Sequence, residues 1–276
     1  MAVYLDHAAT SPMPPEVLEV YTDALRVSGN PASVHGAGQA ARELLESGRD
    51  AVAASVGADP AEIVLTGGGT EAVNLALKGL FWSRNPVAEA VGGAVRSRLR
   101  RARIVIPEAE HHATLDAVEW LVVHEGAILD RIPVDEVGRI RLDALEAALD
   151  RGGDEVALVT AIWANNEVGT IQPVREIAAL AARHGVPLHL DAIAAYGQLP
   201  IDVHELGVTA LSLAAHKIGG PVGVGALYPA RSATVEPLLH GGAQQRARSG
   251  TQDAAGAVAF GAAAERVTGP GRLAER

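Results

Sequence analysis

The sequence contains no cysteine, and only two of its 23 basic residues are lysines. Without cysteine, the 276 residues offer no disulfide, no thiolate metal ligand and no cysteine nucleophile. No apolar run approaches the roughly 20 residues that a membrane helix needs, and the N-terminus has no basic region followed by an apolar core. These absences predict a cytoplasmic protein without a membrane partner.

The chain is acidic overall, with 23 basic residues, 33 acidic residues and a formal net charge of −10. The densest basic patch, at residues 96–103, is too short to follow a phosphate backbone, so we interpret it as a solvated surface loop and predict no nucleic-acid partner. With 48% hydrophobic residues, the chain can form one large α/β domain, or one domain and part of another.

Short apolar runs alternate with longer helix-like stretches. The strand candidates are residues 62–66, 103–106, 127–132, 156–163, 187–190, 210–214 and 223–228. The helix candidates between them are residues 40–56, 71–82, 112–124, 142–149 and 174–184. This alternation predicts a mostly parallel seven-stranded sheet with helices on both faces, whose ligands bind beyond the carboxyl ends of the strands.

One lysine, Lys217, lies between an apolar strand-like run and a glycine-rich turn. Because the chain almost always uses arginine where it needs positive charge, this lysine indicates that an amine is required. A partly desolvated lysine can lose its proton and attack an aldehyde, whereas a guanidinium stays protonated. Lys217 is therefore our candidate anchor for pyridoxal phosphate (PLP).

A triple-glycine turn joins a predicted strand to a helix that begins near Thr70. Free backbone amides at such a helix start, together with the Thr70 hydroxyl, can hold a phosphate dianion. Gly68, Gly69 and Thr70 are therefore a candidate phosphate site, although an ordinary tight strand-to-helix connection needs the same residues. The segment lacks the Gly-Lys-Ser/Thr ending of a nucleotide P-loop.

Three polar residues follow predicted strands. Asp191 would pair with a protonated pyridine nitrogen, or else cap a helix. Asn166, the second of two asparagines, would donate to a cofactor or substrate oxygen, or form a turn. His111 would stack on a flat cofactor ring, or lie in an ordinary loop; its neighbours lack metal-site spacing, so we predict no metal.

A polar, glycine-rich loop at residues 241–252 ends where an alanine-rich helical pattern begins. It would bring Thr251, with Arg248, to a phosphate. The alternative is a surface loop in which Thr251 caps the following helix.

Together these segments resemble the cysteine desulfurase family of class-V, fold-type I PLP enzymes. The matching motifs are Tyr4-Leu-Asp-His-Ala-Ala-Thr10, Asn30-Pro-Ala-Ser-Val-His35, Gly68-Gly-Thr-Glu-Ala72, Glu110-His-His112, Ala164-Asn-Asn-Glu-Val-Gly-Thr170, His189-Leu-Asp-Ala192, Ala215-His-Lys217 and Arg248-Ser-Gly-Thr251. Each is weak alone, but their order is maintained over nearly the whole chain.

The resemblance implies a fold-type I large domain whose small domain is largely missing. Residues 1–14 would belong to the small domain, residues 15–258 to the PLP-binding large domain, and residues 259–276 to the start of a connection to a missing C-terminal small domain. It also implies a homodimer in which Thr251 completes the phosphate site of the neighbouring subunit.

The resemblance further implies a role for each site residue. The implied roles are a Schiff base with PLP on Lys217, ring-nitrogen pairing by Asp191, ring stacking by His111, a cofactor contact from Asn166, and phosphate binding by Gly69, Thr70 and His216. The family reaction converts L-cysteine to L-alanine and transfers sulfur through an enzyme cysteine to an acceptor, for iron–sulfur cluster or thio-cofactor assembly.

This sequence departs from the family pattern in three places. Ala194 stands where the family often has a glutamine that contacts the cofactor, and Ala214 replaces a phosphate-contacting serine. Each change would lower cofactor affinity by about 1 kcal/mol, roughly fivefold. The family's persulfide cysteine lies in its C-terminal region and is absent here, so we expect a truncated desulfurase with apolar surface exposed near residues 251–267.

Three other functions fit part of the sequence. A related fold-type I lyase or aminotransferase acting on another amino acid would need no cysteine. A catalytically silent dimeric scaffold would explain the two alanines, although it leaves the retention of Lys217, Asp191 and His111 unexplained. A nicotinamide dehydrogenase is disfavoured because no Gly-x-Gly-x-x-Gly follows the first strand.

Overall fold

Seven strands form one sheet in the computed structural model, which describes residues 3–86 and 100–268. They are β1 (Val64–Thr66), β2 (Arg103–Pro107), β3 (Ile128–Ile132), β4 (Val156–Ile162), β5 (Leu188–Asp191), β6 (Ala210–Ala214) and β7 (Gly225–Pro229). Their spatial order is β1-β7-β6-β5-β4-β2-β3, with β7 antiparallel to both neighbours and the pairs from β6 to β3 parallel. The predicted mostly parallel seven-stranded sheet is confirmed.

The helices connect and cover these strands. They are α1 (Pro15–Ala24), α2 (Gly36–Ser55), α3 (Gly69–Arg84), α4 (His112–Glu125), α5 (Leu142–Gly152), α6 (Val174–Arg183), α7 (Val203–Leu206) and α8 (Ala254–Thr268). The sequence predicted α2 to α6 and the alanine-rich α8. It missed α1, which begins with a proline in its first turn, and the four-residue α7, which the Asp202 side chain caps.

Each face of the sheet buries its own apolar core. Helices α3 and α4 cover one face, whereas α1, α2, α5, α6 and α8 contribute to the core on the other. Successive strand residues point to opposite faces, so Ile104 and Ile106 of β2 enter one core while Val105 enters the other. All seven residues of the central strand β4 are buried, as a strand covered on both sides requires.

Helix α8 corrects the expectation of exposed apolar surface near residues 251–267. Most of its apolar side chains, including Phe260 and Val267, are buried, and the helix packs on α2 and α1. Glycines let α2 and α8 approach closely: a Cβ atom on Gly48 would lie 2.2 Å from the carbonyl oxygen of Ala257. Small residues let the two helices pack more tightly than their composition alone indicates.

Some sequence predictions concern the ends and surface of the chain. Helix α8 continues without a break through residues 258 and 259, where one predicted domain boundary falls, and that division stays a prediction. Residues 96–99, half of the basic patch at residues 96–103, lie outside the described residues; at its end, Arg103 begins β2 and pairs with Asp130 and Glu155. Within the described parts of the chain, no helix has the length and apolarity needed to cross a membrane.

Candidate active site

A cavity of about 490 Å³ lies at the carboxyl ends of β4, β5 and β6. Ligands of open α/β sheets bind at this position. Seven of the predicted site residues line it: Gly69, Thr70, His111, Asn166, Asp191, His216 and Lys217. The fold thus brings together residues that are up to 148 positions apart in the sequence, from 69 to 217.

Lys217 is held in a short 3₁₀ turn, Ala215–Ile218, directly after β6. Its Nζ donates a hydrogen bond to the backbone carbonyl of Ala8. Partial burial lowers the pKa of the Lys217 amine, while the charges of Asp191 and Asp6 oppose this shift. Lowering the pKa increases the neutral fraction of the amine, which is the form that attacks a carbonyl carbon.

Asp191, the last residue of β5, is a buried acid that faces the cavity. Asp191 is only 2% exposed, and one carboxylate oxygen accepts the Ile193 backbone N–H at 3.0 Å. Burial raises the pKa of Asp191, whereas that hydrogen bond and the charges of His111 and Lys217 oppose the shift. A buried carboxylate in this position is stabilised by a cationic partner such as a protonated ring nitrogen.

The glycine turn places the start of α3 at the cavity. Gly68 has φ of +134°, a conformation that favours glycine, and α3 begins at the next residue. A Cβ atom on Gly69 would lie 2.4 Å from Ile193 Cδ1, so a larger residue would require the Ile193 side chain to move. The backbone amides of this helix start and the Thr70 hydroxyl are suitable donors for a phosphate group.

His111 and Asn166 line the side of the cavity away from the glycine turn. They follow β2 and β4, whereas the glycine turn follows β1 at one edge of the sheet. The His111 Nδ1 accepts the Ala113 backbone N–H at 3.0 Å at the start of α4, which fixes one edge of the ring. Of the two asparagines, Asn165 forms the turn by accepting the N–H groups of Glu167 and Val168, whereas Asn166 lines the cavity.

Several residues of this region had no predicted role. Asp6, Ala8 and Ala9 line the cavity, although the sequence drew attention to them only through the motif beginning at Tyr4. Glu110 lies beside the site, where one carboxyl oxygen accepts the Ile162 N–H at 2.7 Å. The other oxygen is buried with no hydrogen-bond partner among the described residues.

Burial raises the pKa of Glu110 to about 8, and the nearby charge of Asp191 adds to this increase. The Ile162 hydrogen bond opposes the shift. Glu110 is therefore mostly protonated at neutral pH, so the negative charge of Asp191 has no second carboxylate beside it.

Thr251 lies outside the main cavity. It is exposed, and it lines a separate cavity of about 120 Å³ together with Arg248 and Gly67. Arg248 forms an ion pair with Glu71, whose carboxylate also accepts the Gly67 N–H at 2.8 Å. The loop that carries Thr251 is thus tied to the glycine turn, while its predicted contribution to a neighbouring subunit stays a prediction.

The chain matches proteins of known family over nearly its whole length. The sequence profile of the aminotransferase class-V family matches residues 3–272. An IscS-like cysteine desulfurase of Mycobacterium tuberculosis is 48% identical over 263 residues, which are 95% of this chain and 64% of that protein. A cysteine desulfurase of Cereibacter sphaeroides is 41% identical over 270 residues, 97% of this chain and 65% of that protein.

Solved structures show the same relationship. A NifS-like protein superimposes with a TM-score of 0.90 and 34% identity, covering 100% of this chain and 71% of its own. SspA in complex with cysteine superimposes with a TM-score of 0.86 and 32% identity, covering 96% of this chain and 72% of its own. The chain spans somewhat less than two thirds of the length of the curated relatives described above. It belongs to the aminotransferase class-V family, among homologues of the IscS and NifS cysteine desulfurases.

Proposed function

We propose that this chain binds PLP on Lys217 and acts on L-cysteine, as the cofactor-binding part of a cysteine desulfurase. The observation that carries the proposal is the single cavity in which an amine, a buried acid, an imidazole and a helix start converge. The cysteine desulfurase relatives and the cysteine-bound structural neighbour support the choice of reaction and substrate.

The residues present fit PLP. Asp191 is a buried acid in need of a cation, and a pyridinium N–H would supply one. Because Gly69 has no side chain, the helix start is open to a phosphate group. When bound, PLP supplies an aldehyde that reacts with amines and a ring that accepts electrons from the bonds of the substrate.

The side chains would divide the remaining work by their positions. Lys217 would hold the cofactor and then move a proton at its Nζ, for which a lowered pKa is favourable. Asp191 would keep the ring nitrogen protonated, and His111 would stack on the ring. Gly69, Thr70 and His216 would hold the phosphate, and Asn166 would orient the cofactor or the substrate by hydrogen bonding.

The sequence contains no cysteine, so it has no thiol of its own to accept the sulfur of L-cysteine. We therefore propose that a thiol of another polypeptide segment or protein accepts it, for iron–sulfur cluster or thio-cofactor assembly. We also propose a cytoplasmic homodimer, in which Thr251 completes the phosphate site of the partner subunit.

The test is reduction of the PLP complex with borohydride, followed by mapping of the labelled peptide. We expect a yellow complex and a reduced adduct on Lys217. The chain offers a matched control, because Lys78 is its one other lysine and lies 4.2 Å from the centre of the Trp120 ring, outside the cavity. Lys217→Arg should abolish the adduct, and Lys78→Arg should retain it.

The substrate is tested separately by adding L-cysteine with an external thiol and measuring L-alanine. Formation of alanine that requires Lys217 supports desulfuration. If other amino acids are converted instead, the related lyase or aminotransferase function replaces this proposal. A folded chain without an adduct on Lys217 would contradict PLP binding and favour a silent scaffold, which Ala194 and Ala214 in the cavity wall would explain.

A further inference from the structure

The N-terminal strap, residues 4–11, lies along the turn that carries His216 and Lys217. The Ser11 N–H donates to the His216 carbonyl at 2.9 Å, and the Ser11 hydroxyl donates to the Lys217 carbonyl at 2.9 Å. The Tyr4 hydroxyl lies 2.9 and 3.1 Å from two carbonyl oxygens within the strap, which keeps the segment folded on itself. The strap is therefore fixed to the backbone of both residues.

Thr10 extends these contacts to the His216 side chain. Its Oγ1 lies 3.2 Å from Nδ1 of the His216 ring and 3.5 Å from the His216 backbone carbonyl. Two arrangements fit these distances: the hydroxyl donates to Nδ1, or it accepts from an Nδ1–H and donates to the carbonyl, which can accept this bond beside that of Ser11. A phosphate group in the cavity would only accept hydrogen bonds, so it favours the first arrangement, in which the ring proton is at Nε2 and Thr10 donates to Nδ1.

The first arrangement fixes where the imidazole carries its proton. Burial, together with the charge of Lys217, lowers the pKa of His216, which favours the neutral ring with one N–H. With Nδ1 acting as an acceptor, that N–H is at Nε2. No group of the described residues hydrogen-bonds to Nε2, and His216 lines the same cavity as Gly69 and Thr70.

We propose that Thr10 is a positioning residue for the cofactor: its hydroxyl holds His216 in the tautomer whose Nε2–H donates to a phosphate group in the cavity. The inference rests on the proposed function, because the phosphate would be that of PLP. Two parts of the chain 206 positions apart would thus build one phosphate donor.

The first experiment determines the His216 tautomer by ¹⁵N NMR in the chain without cofactor. The His216 signals are assigned by comparison with His216→Asn. We expect an unprotonated Nδ1 and a protonated Nε2. A protonated Nδ1 in the unsubstituted chain would overturn the inference, and this measurement does not depend on whether a Thr10 variant folds.

The second experiment compares Thr10→Val, which lacks the hydroxyl, with Thr10→Ser, which keeps it. The dissociation constant of PLP should rise about five- to tenfold in Thr10→Val and stay within about twofold in Thr10→Ser. Binding of inorganic phosphate, followed through the His216 ¹⁵N shift, should likewise weaken more in Thr10→Val than in Thr10→Ser. Thr22→Val, at an exposed threonine of α1, is the control for the substitution itself.

The two proposals fail in different ways. No adduct on Lys217 in the unsubstituted chain contradicts the proposed PLP chemistry, whatever the tautomer. A normal adduct combined with equal PLP affinity in Thr10→Val and Thr10→Ser contradicts the role of Thr10 alone.

Discussion

Glu110 should make the cofactor-free chain less stable as the pH rises, and glutamine in its place should remove that loss. Burial raises the pKa of the folded-state carboxyl from 4.5 to about 8. Between about pH 5 and pH 8, the folded chain therefore holds a proton that the unfolded chain releases. Because the folded state binds more protons, its free energy of unfolding falls as the pH rises through this window.

The magnitude follows from the size of the shift. At about 1.36 kcal/mol per pKa unit, the change from 4.5 to about 8 limits the loss to about 5 kcal/mol. Glutamine has nearly the shape of the protonated acid and keeps an oxygen that can accept the Ile162 N–H. Glu110→Gln should therefore match the unsubstituted chain near pH 5 and become more stable than it above about pH 8.

Urea unfolding at a series of pH values measures this difference. Subtracting the two free-energy profiles cancels titratable groups that behave alike in both chains, so the slope that remains belongs to Glu110 and the groups coupled to it. Glu108→Gln, at an exposed position two residues earlier, is the control for removing one carboxylate. A difference between Glu110→Gln and the unsubstituted chain that stays constant from pH 5 to pH 9 would refute the reasoning.

Three further substitutions test the packing, the buried polar groups and the cavity wall. Gly48→Ala should destabilise the chain by about 3 kcal/mol because its Cβ would meet the backbone of α8. Gly36→Ala on the same helix meets no atom within 4 Å and should be neutral or slightly stabilising. Equal urea midpoints for the two variants would contradict this. His189→Ala should cost about 2–4 kcal/mol, since it removes a fully buried ring and strands two hydroxyl groups; calorimetry showing a loss under about 1 kcal/mol would argue against it. Ala214→Ser should tighten PLP binding about fivefold by restoring a hydroxyl in the cavity wall, and an unchanged or weaker dissociation constant in a spectral titration would show that the hydroxyl is not within reach of the phosphate.

Much of the fold could be predicted because its signals are local. The seven apolar runs have the length and composition of strands, and the periodicity between them is helical. Lys217, Asp191 and Gly69 could be selected because each lies shortly after a predicted strand and is of a residue type that suits a ligand site. The parallel arrangement of the sheet then brings the ends of those strands together.

The missed features depend on distant contacts. Nothing near Glu110 in the sequence shows that its carboxyl is buried beside Ile162, 52 positions away. The strap residue Thr10 meets His216 only after the whole sheet has formed. Burial of α8 similarly depends on the close fit between its small residues and Gly48, which composition alone does not reveal.

The buried imidazole of His189 has a consequence for strand alignment. Its Nδ1 is 2.8 Å from the Thr160 hydroxyl of β4, and its Nε2 is 2.8 Å from the Ser212 hydroxyl of β6, so one ring cross-links three adjacent strands. A slip of β5 by one residue would turn the ring to the opposite face and leave several polar groups unpaired, each at a cost of about 1–3 kcal/mol. The same slip would rotate Asp191, two residues along the strand, away from the cavity. His189, a neutral side chain that takes no part in the chemistry, therefore fixes the register of β5 and with it the position at which Asp191 meets its ligand.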